Sequence, residues 1–221
     1  MKALLLNIIC SKKVKYSIFL LILLFIYIFI SATSYARAIS NNLEDSIFRL
    51  HVIANSNSEE DQNLKYKVRD NLIEYMNDIA SNCKTKDDAI KIANKNINEF
   101  YRIAKKTIQE NGFNYDVNIE IGNFNFPTKN YGDISIPAGY YDALRVKIGE
   151  AEGQNWWCVM FPPLCFVNVS SGIVPDESKE ILESELSDEE YNIISSNTTD
   201  IKIKFKLIEF LQNANIITAK K

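Results

Sequence analysis

His51 is the only histidine in the chain, so it limits every acid–base or metal-dependent mechanism that the sequence could support. A single imidazole excludes a histidine-rich metal site and a relay of two histidines. The remaining possibility is a Cys/His nucleophile, in which His51 would activate Cys83, Cys158 or Cys165. No signature of a cysteine hydrolase surrounds these cysteines. We therefore interpret His51 as a packed or hydrogen-bonded residue, and expect no catalytic residue, no metal and no cofactor.

Two of the cysteines are spaced for a disulfide. The chain has four cysteines, and Cys10 belongs to the N-terminal segment, which leaves three for the rest of the chain. Cys158 and Cys165 flank a Phe-Pro-Pro-Leu sequence at 161–164, a turn-forming break that can bring them face to face. We expect these two to form a disulfide. Two buried free thiols are the alternative.

The glycine-flanked sequence Gly-Glu-Ala-Glu-Gly at 149–153 could be mistaken for a phosphate-binding loop. It is acidic and precedes a strand, whereas a phosphate loop opens a helix with its N–H groups toward the anion. We predict a turn.

The first 36 residues have the composition of a targeting segment. They contain four lysines and no acidic residue, and the lysines precede the apolar run from Ile18 to Ile30. This order is typical of a signal peptide or an uncleaved anchor, and the small residues around Ala36 suit a signal peptidase. We expect 1–38 to be a signal peptide or membrane anchor. Because positive charge stays inside, 39–221 is expected to be exported.

The exported part is acidic. Removing the four basic residues of the first 36 from the 25 in the chain leaves 21 against 28 acidic residues, a net charge of −7. Such a chain is a poor partner for nucleic acid or an anionic membrane. We expect no nucleic-acid binding, and membrane contact only through an uncleaved N-terminal segment.

Hydrophobic spacing predicts a strand and then two helices. Residues 47–54 alternate as a strand. Ser58 is a helix cap, and apolar residues recur at helical spacing from there to Ile79. The capping pattern repeats at Thr85, and the second helix is predicted to run to Asn111. The short link between these helices favours antiparallel packing.

Beyond Gly112 the apolar period changes from 3.6 to 2. The predicted fold class is α+β, a single domain with two antiparallel amphipathic helices packed on a mainly antiparallel sheet. The further predicted elements are strands at 113–121, 133–136, 141–148 and 155–161, a short helix at 187–195, and a strand or helix at 201–213. The strand at 155–161 is apolar on both sides, which predicts a central position.

Three stretches carry specific motifs. They are 48–70, which begins Phe-Arg-Leu-His-Val-Ile-Ala-Asn-Ser, then 137–146, and finally 155–165, which reads Asn-Trp-Trp-Cys-Val-Met-Phe-Pro-Pro-Leu-Cys. In this order, and behind an export signal, they resemble the stage II sporulation protein R family. Ala151 is one departure, because the family is expected to have a third glycine there.

The resemblance implies an exported signalling protein of an endospore-forming bacterium. Members are made in the forespore and cross its membrane into the space between the two membranes. There they activate a membrane-embedded aspartic protease of the mother cell, which removes the pro-sequence of the sigma-E precursor. The implied partner is this protease, and the implied chain is not an enzyme.

The residues expected to contact the partner lie in these motifs. They are Arg49, His51, Asn55, Tyr140, Arg145, Asn155, Trp156, Trp157, Pro162 and Pro163. A disulfide between Cys158 and Cys165 would hold the intervening loop in one shape, and a rigid loop binds with less loss of entropy. That loop is therefore expected to be part of the protease-facing surface.

Two other classes of function remain open from the residues alone. One is a small secreted hydrolase of the cell envelope that acts on peptidoglycan, with His51 or an acidic pair as the base. The other is a membrane-anchored module that binds the envelope and sends no signal.

Overall fold

The computed structural model of the protein describes residues 12–164, 174 and 176–195. Within these ranges the chain forms six helices and six strands. In chain order they are α1 (Lys12–Ser46), β1 (Phe48–Ile53), α2 (Glu59–Ala80), α3 (Lys86–Lys95), α4 (Ile97–Glu110), β2 (Val117–Phe126), β3 (Lys129–Tyr131), β4 (Ile134–Ile136), β5 (Gly139–Ile148), β6 (Asn155–Phe161), α5 (Asp176–Glu185) and α6 (Asp188–Ser195).

The chain divides into two compact units, Met1–Ile39 and Ser40–Lys221. In the first unit, the large apolar side chains between Tyr16 and Ile30 are exposed. The stretch Lys12–Ser31 is long and apolar enough to cross a membrane, with a mean hydropathy of 2.3. The second unit carries the α+β fold.

Four strands form the main sheet in the order β2-β5-β1-β6. Strand β1 is parallel to β5, with Leu50 opposite Leu144, and antiparallel to β6, with Leu50 opposite Cys158. Strands β2 and β5 are antiparallel along their whole length. Strands β3 and β4 form a separate two-stranded ribbon. Two of the three pairings in the main sheet are antiparallel, which confirms the predicted α+β class and its mainly antiparallel sheet.

Helix α2 begins and packs as predicted. Its cap is Ser58, whose hydroxyl oxygen accepts a hydrogen bond at 3.2 Å from the backbone N–H three residues later. Asn71 of α2 donates to Thr107 of α4, and Tyr75 packs edge to face on Phe100. From Asn71 to Tyr75 along α2, the contacted residue of α4 moves back from Thr107 to Phe100. The two helices are therefore antiparallel.

The second helix was predicted as one element, and this is wrong, since α3 and α4 are separated at Asn96. The Asn96 side chain donates to the Ile92 carbonyl at 2.9 Å and accepts from the Tyr75 hydroxyl at 3.2 Å. It thereby competes with the backbone for the groups that a continuous helix would use. Apolar spacing continues across Asn96, so the sequence pattern does not show the break.

The strand predicted to start at 113 begins later. Phe113 and Tyr115 stack on each other at 5.3 Å, ahead of the first strand residue, Val117. The Tyr115 carbonyl accepts a hydrogen bond from Lys105 of α4 at 2.9 Å, which fixes this stretch as a connection to the helix.

Strand β6 lies at the edge of the sheet that the described residues form, and not between two described strands as its apolar composition predicted. Its apolar character has another cause, which is that both of its faces are covered. Cys158 and Met160 join the helix-side core, and Val159 is buried on the opposite face.

The other predicted strands correspond to β4 and β5, and the predicted short helix is α6. Strand β3 and helix α5 were not predicted. The prediction for 201–213 lies outside the described residues.

The core lies between helices α2 to α4 and one face of the main sheet. Phe48, Leu50 and Val52 of β1 point into it. Because successive strand residues point to opposite faces, Arg49 and His51 lie on the other face.

Candidate functional site

Arg49 occupies the centre of the sheet face opposite the helices, and it is fully buried. It donates to the Tyr131 hydroxyl at 2.8 Å and, more weakly, to the Cys158 carbonyl at 3.5 Å. Its guanidinium carbon lies 4.1 Å from the centre of the Phe126 ring and 4.8 Å from that of Tyr141. Ring faces and oxygen acceptors thus take the place of water around a buried cation.

The two tyrosines around Arg49 are held in their neutral forms. Burial raises the pKa of Tyr131 and of Tyr141, although the Arg49 charge opposes the effect. Tyr141 donates to the Pro137 carbonyl at 2.9 Å, and the Tyr131 hydroxyl lies 3.3 Å from the Trp157 carbonyl that it donates to. Arg49 was a predicted partner contact, and here it organises the interior of this face.

His51 is stacked on Trp157, with ring centres 3.7 Å apart. Its Nε2 lies 2.7 Å from Asn155 Oδ1, so Nε2–H donates to the amide oxygen. Burial lowers the pKa of His51 to about 4, and the positive charge of Arg145 adds to this, whereas the Asn155 bond opposes it. At neutral pH the imidazole is therefore uncharged. It is held in place by the Trp157 indole and the Asn155 amide.

The structure does not assemble a Cys/His pair from the described cysteines. Cys158 lies in the helix-side core and Cys83 packs against the same core, whereas His51 is on the opposite face of the sheet. The Nδ1 of His51 is buried and has no hydrogen-bond partner among the described residues. These placements give no support to a hydrolase that uses His51 as its base. In the described part of the chain, no group of three or more His, Cys, Asp or Glu residues could hold a metal ion.

Asn55 joins two turns that are far apart in sequence. Its Nδ2 donates to Asp61 Oδ2 at 2.8 Å, at the start of α2, and its Oδ1 accepts from the Glu150 N–H at 3.0 Å. Ser56 also donates to Asp61, at 2.6 Å. Burial would raise the pKa of Asp61, but these bonds outweigh it and hold the pKa below its usual value. Asn55, a predicted partner contact, thus connects the β1–α2 turn to the β5–β6 turn.

The predicted turn at 149–153 packs tightly under Asn55. A Cβ on Gly149 would lie 2.2 Å from Asn55 Oδ1, and Gly149 also has a φ of +56°. Ala151 follows with a φ of 55°, in the left-handed region that favours glycine. The position where the family is expected to have glycine is thus one where the backbone itself favours it.

Replacing Ala151 by glycine should raise the free energy of unfolding by about 1 kcal/mol, because the left-handed conformation is costly for a residue with a Cβ. Urea unfolding of the two proteins measures the difference. Ala104→Gly, inside helix α4, is the control and should lower stability, since glycine weakens the interior of a helix. A loss of stability in Ala151→Gly would contradict the turn geometry.

Arg145 and Tyr140 lie at accessible positions of β5. Arg145 donates from two nitrogens to Glu120, at 2.9 and 2.7 Å, and its guanidinium carbon lies 3.8 Å from the centre of the Phe124 ring. Lys147 pairs with the same carboxylate at 3.0 Å. Tyr140 is exposed. Both are available for contact, although the charge of Arg145 is already paired.

Trp156 and Trp157 point to opposite faces of β6. The Trp156 ring lies 5.4 Å from the Tyr66 ring, edge to face, and 4.2 Å from the guanidinium carbon of Arg69. Arg69 was not among the predicted contacts. Its spacing of four residues from Lys65, which places both on one face of α2, is the signal that could have found it.

The proline loop leaves β6 at its buried end. Pro162 is buried and Pro163 is half-buried, and the Pro163 carbonyl accepts a hydrogen bond at 2.8 Å from Ser178 of α5. Cys158 is disulfide-bonded and Cys83 is a free thiol. Cys165 lies outside the described residues, so its pairing with Cys158 stays a prediction.

The disulfide prediction can be checked by counting thiols in the denatured protein. If Cys158 and Cys165 are paired, Cys83→Ser should remove one thiol, and a Cys158→Ser/Cys165→Ser variant should remove none. That double variant should also lose about 2 kcal/mol of stability, because it frees a short loop in the unfolded chain. A double variant that lowers the count by two would contradict the pairing.

Comparison with known proteins agrees with the motifs. The family model described as stage II sporulation protein R matches residues 44–171. The stage II sporulation protein R of Bacillus subtilis (strain 168) is 32% identical over 186 residues, which cover 77% of this chain and 82% of that protein. No solved structure matches the chain. The chain therefore belongs to the stage II sporulation protein R family, and it is a sporulation signalling protein.

Proposed function

We propose that this protein activates the membrane-embedded aspartic protease that processes the pro-sigma-E precursor in the mother cell. The observation that carries the proposal is family membership over 44–171, a range that includes β1 to β6 and the motif residues. The protein acts by binding and not by catalysis. His51 supports this view, because its ring is stacked on Trp157, its Nε2 is bonded to Asn155, and the described cysteines lie with the core on the other face of the sheet.

Activation by binding needs only a difference in affinity between two states of the protease. A ligand that binds the active state more tightly shifts the population toward it, and the shift cannot exceed that difference in affinity. A rigid surface suits this task, because little entropy is lost on binding. The Asn55 connection and the stacked His51 and Trp157 provide such rigidity next to β6.

Reconstitution tests the proposal directly. Purified protein is added to membranes that contain the protease and its precursor substrate, and cleavage of the precursor is followed over time. We expect cleavage to depend on the added protein and to saturate with its concentration. Cleavage that is equally fast without the protein would contradict the proposed function. Membranes with the protease's catalytic aspartates replaced are the control.

The proposal requires export, and the N-terminal segment is compatible with it. The apolar part of α1 follows Lys12, Lys13 and Lys15, as in a signal or anchor segment. N-terminal sequencing of protein recovered outside the cytoplasm should begin near Arg37 or Ile39. Recovery of only the full-length chain in the membrane pellet would replace cleavage by anchoring.

A further inference from the structure

A cation lies over two aromatic rings on the helix side of strand β6. The Arg69 guanidinium carbon is 4.2 Å from the centre of the Trp156 ring and 5.0 Å from that of Tyr66. All three side chains are half-buried. Trp, Tyr and Arg are the residue types that most often dominate the binding energy of protein interfaces. Contact with both rings also restricts the position of the guanidinium before any partner arrives.

Arg69 has more hydrogen-bond donors than its contacts with the described residues use. Its Nε and one terminal nitrogen both contact a single oxygen of Asp70, at 2.7 and 2.6 Å. A guanidinium has five N–H donors, so three have no partner among the described residues. Asp70 is well exposed, and an ion pair with an exposed carboxylate adds little stability. A second carboxylate can therefore bind to Arg69 without displacing a buried partner.

A second cation, the ammonium group of Lys65, lies close to the Tyr66 ring. The Lys65 ammonium donates to Gln62 Oε1 and to the Gln154 carbonyl, and lies 4.7 Å from the Tyr66 ring centre. Within the described residues it forms no salt bridge. Burial lowers the pKa of Lys65, and the Arg69 charge lowers it further, so the two cations repel each other. An approaching anion would relieve this repulsion.

The adjacent backbone belongs to the edge strand of the described sheet. Trp156 stands on β6, the edge strand of the described sheet. Asn155 is exposed and the two tryptophans are half-buried, whereas the strand is buried from Cys158 onward. Edge strands accept extended segments of partners, whose alternate side chains then meet pockets on either face.

We infer that Tyr66, Arg69 and Trp156 form a docking surface for an extended, carboxylate-bearing segment of the partner protease. The inference rests on the proposed function for the identity of the partner. The carboxylate binds the Arg69 donors that have no partner among the described residues, and the segment passes Trp156 at the exposed end of β6. We call these three residues the Arg69 surface.

Activation titrations on the full chain test the Arg69 surface. The quantity measured is the protein concentration that gives half-maximal precursor cleavage in membranes containing the protease. Arg69→Gln should raise this concentration about tenfold, as expected for a central arginine of an interface. The half-maximal concentration of this variant should also depend less steeply on the NaCl concentration, because one ion pair with the partner is lost. Arg69→Lys should recover part of the salt dependence but not the stacking.

Asp70→Asn provides a change in the opposite direction. It removes the carboxylate that competes for Arg69, so the half-maximal concentration should fall severalfold. A folding defect cannot produce this gain. The matched control is Arg102→Gln, since Arg102 is also paired to a nearby carboxylate, Glu99, but lies on helix α4. It should leave the titration unchanged, and melting curves should show that every variant is folded.

The possible outcomes distinguish a failure of the Arg69 surface from a failure of the proposed function. Wild-type protein that never promotes cleavage would overturn both. Wild-type activation with unchanged titrations for Arg69→Gln and Asp70→Asn would overturn the Arg69 surface alone. An equal shift of the half-maximal concentration in Arg102→Gln would show that the effect comes from net charge, and it would also overturn the Arg69 surface. So would self-association that depends on Arg69, measured by sedimentation, because the occupant would then be a second copy of this chain.

Discussion

Replacing Gly153 by alanine should lower the free energy of unfolding by about 3 kcal/mol, at the upper end of what overpacking costs. A Cβ here would lie 2.2 Å from the Ser56 carbonyl oxygen and 2.8 Å from the Ala54 Cβ. Neither obstacle is the end of a flexible side chain, so the backbone itself must move. That movement would also strain the Gly153 N–H bond to the Ala54 carbonyl, now 2.9 Å long.

Urea unfolding at neutral pH measures this loss, and thermal melting should show a fall of about 10 °C for a domain of this size. Gly122→Ala is the matched control. A Cβ on Gly122 would meet only the tip of the Phe124 ring, at 3.1 Å. Because that ring can shift and alanine suits a strand at least as well as glycine, the control should change stability little. Equal losses in both variants would contradict the steric explanation.

The local elements were predictable because their signals are local. The Ser58 cap and the apolar spacing of α2 lie within one stretch of chain, and the structure has both. The same holds for the alternation of Leu144, Val146 and Ile148 in β5, which all point into the helix-side core. Here the hydrophobic pattern and the local hydrogen bonds indicate the same element.

The strand order was not predictable in this way, because it depends on which distant segments pair. Strand β6 has the apolar composition of a central strand because residues on both of its faces are buried, yet within the described sheet it pairs with β1 alone. Composition reports that a strand is buried on both faces. It does not report what buries it.

The candidate site shows the same limit. The motifs identify stretches of the chain, but not which of their side chains face solvent. Asn55 was predicted to meet a partner, while its amide is engaged with Glu150, 95 residues away. Arg69 lies in the same motif and was passed over, although three of its N–H donors have no partner among the described residues. Polar side chains in a motif can serve the fold, and only their contacts distinguish the two roles.

His51 should make the stability of the protein depend on pH between about 4 and 6.5. The unfolded chain binds a proton at this histidine with a pKa near 6.5, whereas burial keeps the folded pKa at about 4. Between these values the unfolded state holds more protons, so stability falls as the pH falls. The positive charges of Arg145, Lys147 and Arg49 face the ring and act in the same direction, and the Asn155 hydrogen bond opposes them.

The expected loss is about 2 kcal/mol between pH 7.5 and pH 5, since each unit of pKa difference corresponds to about 1.4 kcal/mol. Urea unfolding at the two pH values measures it. The chain has one histidine, so the comparison with His51→Gln isolates this group. Aspartate and glutamate titrate mainly at lower pH, and the variant retains whatever they contribute at pH 5.

The same variant separates folding from signalling. Loss of the stack on Trp157 should lower the stability of His51→Gln at pH 7.5, while its dependence on pH becomes shallow. Its signalling should fall only as far as its folded fraction falls, because the ring is enclosed by Trp157, Phe126 and Asn155. A folded variant that cannot signal would make His51 a functional contact. A variant that keeps the full pH dependence would show that the lowered pKa belongs to some other group.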